Sequence, residues 1–138
     1  MGNEIFGMDE EMRADRVDFR NKRKPYVVWP VGDREYRLKL TTAANMKLEE
    51  RYKANILNLI TGEGLPPIGL LLNMIQAAME KYEHGMGIKQ VQELFDEYVD
   101  MGGDVASLMT DVILPLLGNG GFFTESQAED LKADLERA

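Results

Sequence analysis

Hydrophobic positions follow a helical period most densely between residues 65 and 83. Polar residues occupy one narrow stripe of this stretch, formed by Asn73, Gln76, Glu80 and Glu83. A helix that is apolar on every other side is normally buried by neighbouring elements in several directions. Pro66 and Pro67 suit its first turn, and Gly85 suits a left-handed cap after its last turn. The pattern predicts a core helix over residues 67–83, and its polar side chains lie too deep for a membrane span.

An alternating pattern precedes this helix. Residues 26–29 are rich in β-formers, a Pro-Val-Gly-Asp turn follows, and residues 35–40 alternate strictly between apolar and polar. The side chains that share the apolar face are Tyr36, Leu38 and Leu40. The alternation predicts a β-hairpin at about residues 26–40 with one wet face. Two strands alone are marginally stable, so we expect the hairpin to pack on the helices.

Further segments show helical periodicity. The first starts at Thr41 or Thr42, both suitable N-caps, and runs to about Ile60. The others cover residues 88–101, a helix after the capping residue Asp104, and residues 125–137. Pro115 lacks an N–H and crowds the preceding turn, so the helix after Asp104 should kink or stop nearby. The predicted fold class is mainly α: a four- to five-helix domain with an N-terminal β-hairpin, in other words a small α+β fold.

Charge divides the chain into an arm and a domain. Residues 1–24 are dense in charge with a sparse apolar stripe, so we interpret them as a frayed or mobile arm before a single domain at residues 25–138. The net charge of −8 disfavours binding to duplex nucleic acid. The arm contains the one basic cluster, formed by Arg13, Arg16, Arg20, Lys22, Arg23 and Lys24. The chain has no cysteine and no secretory signal pattern, so we expect a cytoplasmic protein without disulfides or membrane contact.

No catalytic, cofactor-binding or metal-binding constellation stands out in the sequence. His84 is the only histidine, and no motif supplies the nucleophile and the acid of a triad. The acidic residues Glu93, Asp96, Glu97 and Asp100 recur at helical spacing. A solvated helix face explains them more simply than a paired-carboxylate or calcium site. The glycine-rich residues 118–121 lack the lysine of a phosphate loop and read as a helix terminator. We therefore predict a protein that is not an enzyme and holds no cofactor.

Three aromatic residues at the ends of predicted elements are the candidates for partner binding. Trp29, Phe122 and Phe123 flank the hairpin and the glycine-rich loop. Aromatic side chains at such positions often anchor interfaces, although burial in the domain's own core is the alternative for each. The nine methionines leave a Met-containing helix face as a second candidate surface.

The order of these segments resembles the tail assembly chaperones of siphophages and prophages in Gram-positive bacteria. The resemblance rests on Tyr-Val-Val-Trp at residues 26–29, the hairpin at 31–42 and Leu-Glu-Glu at 48–50. It continues through Leu-Pro-Pro at 65–67, the helix at 91–98, the glycines 102–103 and residues 114–123. Together these segments cover about residues 25–124 and leave out the arm and the last helix.

This resemblance implies a non-catalytic protein that coats the helical tape measure protein until tail tube subunits polymerise around it. Members of that family act in the cytoplasm of the bacterial host and are absent from the mature virion. Many also occur as a longer, frameshifted product that contacts the tail tube protein. The implied partner is therefore the tape measure protein, with the tube protein and further copies of this chain as additional candidates.

Two other functions stay open at the level of sequence. A structural tail or connector protein has the same small helical character. A phage-encoded DNA-binding regulator would use the basic cluster of the arm. A small hydrolase is disfavoured, because the chain has no cysteine and no triad motif.

Overall fold

The computed structural model of the chain describes residues 23–62, 64–123 and 125–137. Within these ranges it confirms a mainly α fold with a two-stranded antiparallel hairpin near the N-terminus. The charged arm predicted at residues 1–24 lies almost wholly outside the described residues, so its mobility stays a prediction.

Strands β1 (Val27–Val31) and β2 (Arg34–Leu38) form the predicted hairpin. They pair antiparallel, from Val27 opposite Leu38 to Val31 opposite Arg34. Gly32 begins the two-residue turn at φ +63°, a left-handed angle that glycine adopts without a side-chain clash. The inward side chains are buried, as the alternation predicted; they are Trp29, Val31, Tyr36 and Leu38.

Both strands of the hairpin have outer edges that are occupied or interrupted. On β2 the Arg37 N–H donates to the Glu83 carboxylate at 2.9 Å. Just after β2 the Lys39 N–H donates to the Ala78 carbonyl at 2.8 Å. Strand β1 includes Pro30, which has no N–H to donate. The hairpin therefore packs on the helices, as expected. Neither of its edges is a continuous row of free backbone N–H and C=O groups.

The helix predicted between residues 42 and 60 is in fact two helices. They are α1 (Thr42–Tyr52) and α2 (Ile56–Ile60). The predicted start is correct, because the Thr41 hydroxyl caps α1 by accepting the Ala44 N–H at 3.1 Å. The prediction of one uninterrupted helix is wrong.

Three residues, 53–55, separate α1 from α2. Lys53 ends α1 in a left-handed conformation, with φ +53°. Asn55 then caps α2, since its side-chain oxygen accepts the Leu57 N–H at 2.9 Å. Asparagine bonds the backbone at a helix start more readily than it continues a helix interior, and this preference outweighs the apolar periodicity.

Helix α3 (Ile68–Ala78) is the buried centre of the fold, as its apolar circumference predicted. Its buried residues are Leu70, Leu71, Leu72, Met74, Ile75, Ala77 and Ala78. The helix ends at Ala78, earlier than the predicted residue 83, and irregular turns follow. The Ala78 carbonyl accepts the Lys39 N–H from the hairpin, which draws it away from the helical ladder.

Helices α4 (Ile88–Asp100) and α5 (Val105–Asn119) meet at an angle of 114°. Pro115 does not stop α5. Instead, Met109–Ile113 form a π turn in which the Leu114 N–H donates to the Met109 carbonyl. Because the proline disturbs the ladder of the turn before it, the helix widens there and then continues.

The last helix, α6 (Glu125–Arg137), has the predicted bounds. It contacts the final turns of α5, and its Leu131 packs against the core. Of the described helices, none alone has the length and apolarity of a membrane span; α4 and α5 reach both only as a bent pair.

Candidate functional site

A groove lies between α5, α6 and the loop that follows α2, and it encloses about 440 Å³. Its apolar lining comes from Ile60, Leu65, Ala106, Met109, Leu114 and Leu131. Thr61 and Asp134 add polar atoms. This volume falls within the range of pockets that hold ligands or anchoring side chains. We call it the α5–α6 groove.

The loop between α2 and α3 supplies one wall of the groove. Thr61 ends α2, and its hydroxyl donates to the Leu57 carbonyl at 2.8 Å. The chain then presents Leu65, which is 50% exposed. Pro66 follows and favours an extended backbone at Leu65, which keeps this residue out of α3. A large apolar side chain is therefore held half in solvent at the rim.

Helix α6 supplies another wall through Leu131 and Asp134. Its sequence contains five acidic and two basic residues. Asp134 lines the groove, and the exposed Asp130 lies one turn earlier on the same face. Leu131, between them, is partly buried against the core. The groove thus combines an apolar lining with one carboxylate, that of Asp134.

Glu83 forms the main buried ionic cluster of the described residues, at 7% exposure. Its carboxylate lies 3.2 Å from the Arg34 guanidinium and 3.5 Å from Arg37 Nε, and it accepts the Arg37 backbone N–H. The Arg37 guanidinium also lies over the Tyr82 ring, 5.3 Å from its centroid. These contacts tie β2 to the segment after α3. The two arginine side chains and the Arg37 N–H compensate the buried carboxylate, and the cluster presents no reactive group.

A second polar cluster joins α4 to α5. Asp104 caps α5 as predicted, because its carboxylate accepts the Ser107 N–H at 2.8 Å. Hydrogen bonds from the Ser107 backbone and side chain hold the pKa of Asp104 below its usual value. The Ser107 hydroxyl lies 2.7 Å from the Tyr98 hydroxyl, and burial raises the pKa of Tyr98. Both groups act in packing and capping at this corner.

The three aromatic residues predicted to bind a partner do not have the exposure that this role needs. Trp29 is fully buried and Phe123 is 8% exposed, while Phe122 is half-buried against the core. The Trp29 ring packs edge-on against Tyr98, with centroids 5.7 Å apart. Trp29 and Phe123 instead follow the alternative reading, burial in the domain's own core, because each fills the apolar core between hairpin and helices. Their role in partner binding stays a prediction, and it would require both to leave the core.

The other residues singled out by sequence lie on solvated surfaces or at a helix end. His84 is exposed, and so are Glu93, Asp96, Glu97 and Asp100 along α4. The glycine-rich segment ends α5, where the Phe122 N–H donates to the Leu117 carbonyl at 3.0 Å. Over residues 23–62, 64–123 and 125–137, no group of three or more His, Asp or Glu side chains is placed to hold a metal ion.

The groove itself was not predicted from the sequence. Its lining residues are separated by tens of positions, and their periodicity indicates only that they lie on inward faces. Two local signals could have pointed to it. Leu65 stands between a glycine turn and two prolines, and Leu131 is an apolar residue within a polar helix.

Residues 22–138 match the profile of a protein family that is described as a family of unknown function (DUF6096). No curated protein and no solved structure matches the chain.

Proposed function

The chain belongs to the DUF6096 family, and we propose that it is a phage tail assembly chaperone that binds the tape measure protein. In this role it acts in the cytoplasm of the bacterial host and is absent from the mature virion. It carries out no reaction: binding keeps the long helical tape measure chain dispersed until tube subunits polymerise around it. The tail tube protein and further copies of the chain are additional candidate partners.

The observation that carries the proposal is the α5–α6 groove. A tape measure segment would present an amphipathic helix, and such a helix binds by laying its apolar face into a groove between helices. The groove offers an apolar lining and a half-exposed leucine, Leu65, at its rim. The net charge of −8 would keep a complex with many bound copies dispersed. The resemblance to tail assembly chaperones over about residues 25–124 gives independent support.

Co-expression with the tape measure protein of the same genome tests this function. We expect the tape measure protein to be insoluble alone and soluble together with the intact chain. Failure of the intact chain to keep it soluble would contradict the proposal. That result would favour the structural tail or connector protein, which mass spectrometry of purified virions would detect.

A matched pair of variants tests whether the groove is responsible. Ala106 is exposed at the second position of α5 and lines the groove, so Ala106→Phe should fill it and abolish the solubilisation. Ala43 is exposed at the second position of α1 and is not among the groove residues. Ala43→Phe makes the same change in helix propensity and should leave solubilisation intact. Equal thermal midpoints for the two variants would show that both fold.

A further inference from the structure

We infer that the chain binds further copies of itself, through a basic surface beside strand β2 that contacts the acidic face of helix α4 in the next copy. Both halves of this contact lie on the described part of the chain, so the inference does not depend on the proposed function. It follows from the distribution of charge, which is uneven although the net charge is −8.

The basic surface lies at the outer edge of β2 and on the segment after α3. The Tyr82 ring joins its members, since the Arg37 guanidinium lies 5.3 Å and Lys81 Nζ lies 5.7 Å from the ring centroid. Lys39 stands between two buried leucines, so alternation turns its side chain to the same outer side as that of Arg37. The members of the basic surface are Tyr26, Arg34, Arg37, Lys39, Lys81 and Tyr82.

The positive charge of this surface exceeds the negative charge that compensates it. Glu83 is a single carboxylate shared by two guanidiniums, 3.2 Å from Arg34 and 3.5 Å from Arg37. Glu35, exposed on β2, adds one further acidic side chain. Over the described ranges neither Lys39 nor Lys81 forms an ion pair. Four cations therefore face two carboxylates, and both lysines are available to an incoming anion.

Helix α4 supplies the opposite charge. Its exposed carboxylates recur at a spacing that places them on one side of the helix, away from the buried Val91 and Leu94. They are Glu93, Asp96, Glu97 and Asp100. In the part of the chain that the structure describes, none of these four forms an ion pair, and Lys89 is the only basic residue of α4. A solvated acidic face alone indicates no partner, but this chain also carries its complement.

Each surface also has an exposed apolar side chain. Val28 pairs with Arg37 across the hairpin and is 38% exposed. Val99 lies three residues after Asp96 on α4 and is 44% exposed. Removing both valines from water would add an apolar contribution to the contact. The opposite charges around them would then determine which faces meet.

Within one copy the two surfaces lie at different edges of the hairpin. Helix α4 packs against β1, whereas the basic surface lies beside β2. A contact between unlike surfaces is heterologous and leaves one surface of each kind free, so copies can add in a row. The net charge of −8 opposes this at long range. At about 0.15 M salt, charges more than about 8 Å apart are largely screened, and the contacts across the interface dominate.

Sedimentation velocity of the full-length chain tests the inference. At about 0.15 M salt we expect the weight-average sedimentation coefficient to rise between about 1 μM and about 1 mM protein. At about 0.5 M salt the rise should be smaller, because the charges are screened. A coefficient that stays at the monomer value over the whole range at the lower salt concentration would overturn the inference.

Charge reversal on either surface should weaken the association about tenfold or more. Lys39→Glu combined with Lys81→Glu reverses the basic surface and leaves both arginines on the buried Glu83. Glu93→Lys combined with Asp96→Lys reverses the acidic face. All four positions lie at the surface, so both variants should keep the thermal midpoint of the wild type. Association of either folded variant at the wild-type level would contradict the assignment of its surface.

An equimolar mixture of the two variants distinguishes a direct contact from a general effect of net charge. The reversed surfaces of the two variants attract each other, so the mixture should associate although neither variant does so alone. Arg51→Glu combined with Lys53→Glu is the matched control, because it makes the same change in net charge as the lysine variant at exposed positions of another segment. It should associate like the wild type.

Three results would count against self-association through these surfaces. One is a mixture that remains monomeric. Another is a loss of association in the Arg51→Glu, Lys53→Glu control, which would assign the effect to net charge. The third is binding of a labelled single-stranded oligonucleotide, measured by fluorescence anisotropy, that depends on Lys39 and Lys81 while the wild type stays monomeric. That result would assign the basic surface to nucleic acid.

Discussion

Tyr98 connects the hairpin, α4 and α5 through a single side chain. Its ring packs against Trp29 and Phe95, and its hydroxyl pairs with Ser107. Burial raises its pKa above 10.0, although the hydrogen bond to Ser107 opposes this rise. The free energy of unfolding therefore depends on whether the Tyr98 hydroxyl is protonated.

Alkaline pH should destabilise the protein through Tyr98. Because the folded-state pKa is raised, the unfolded chain loses the phenol proton first as the pH increases. The contribution of protonated Tyr98 to the free energy of unfolding is complete below the unfolded-state pKa near 10.0. It is lost as the pH rises through the folded-state pKa. Urea unfolding at about pH 8 and about pH 11 should show a larger loss for the wild type than for Tyr98→Phe. Equal losses would contradict this account.

Acidic pH should act through Asp104. Hydrogen bonds from Ser107 hold the pKa of Asp104 below 3.8. The stabilisation from the ionised carboxylate is therefore present above the unfolded-state pKa and is lost as the pH falls through the folded-state pKa. Asp104→Asn keeps a good N-capping side chain but cannot titrate. Its urea midpoint should therefore fall less than that of the wild type between about pH 5 and about pH 3. Parallel curves would show that the cap is not sensitive to pH.

Trp29 is a candidate for partner binding in the sequence, but its side chain is fully buried in the core. Trp29→Ala should lower the free energy of unfolding by about 3–5 kcal/mol, because it leaves a large cavity in the core. Among the described residues its indole N–H has no hydrogen-bond partner, so Trp29→Phe should cost much less. Urea denaturation of both variants measures the difference. Similar losses would indicate that the N–H is bonded in solution.

At the scale of elements, the contact between α4 and α5 depends on a residue without a side chain. A Cβ at Gly103 would overlap the Tyr98 ring. Gly103→Ala should therefore destabilise the protein by about 1–3 kcal/mol. Gly69, in the first turn of α3, has open space at the same position, so Gly69→Ala should be neutral or stabilising by up to about 1 kcal/mol. Thermal unfolding compares them, and equal effects would mean that the ring moves aside.

Elements with strong local signals could be predicted from the sequence. The hairpin follows from alternation, α3 from its apolar circumference, and the caps at Thr41 and Asp104 from side-chain chemistry. The errors arose where contacts between elements or short-range bonds compete with periodicity. The Asn55 cap divides one predicted helix into two, and the Ala78 carbonyl bonds to the hairpin instead of continuing α3. A π turn at Met109–Ile113, just before Pro115, lets α5 continue past the proline.

At the scale of the whole molecule, one buried layer around α3 holds the hairpin and the other helices. Ile75 is fully buried there, so Ile75→Asp would place an unpaired charge in the core and should unfold the protein. Met46 is 64% exposed on α1, and Met46→Asp should leave the fold unchanged. Circular dichroism and thermal melting of both variants provide the comparison. A wild-type melting point for Ile75→Asp would disprove the assignment of the core.

The candidate site belongs to this same scale, and for that reason the sequence did not reveal it. Leu65, Met109 and Leu131 come together only because α6 returns to cover the side of α5. The aromatic residues were chosen by residue type, but residue type does not distinguish an interface anchor on the surface from a core residue. Trp29 and Phe123 are core residues.

The closed edges of the hairpin have a consequence for how the protein behaves at high concentration. An exposed strand can recruit an identical strand, which then recruits the next, so that fibres grow wherever copies are crowded together. Pro30 on one strand and the Glu83 carboxylate on the other block the first addition. Neighbouring copies can therefore touch without adding strands to one another. Glu83 therefore has two effects: it holds the hairpin on the helices, and it occupies a backbone N–H that an added strand would need.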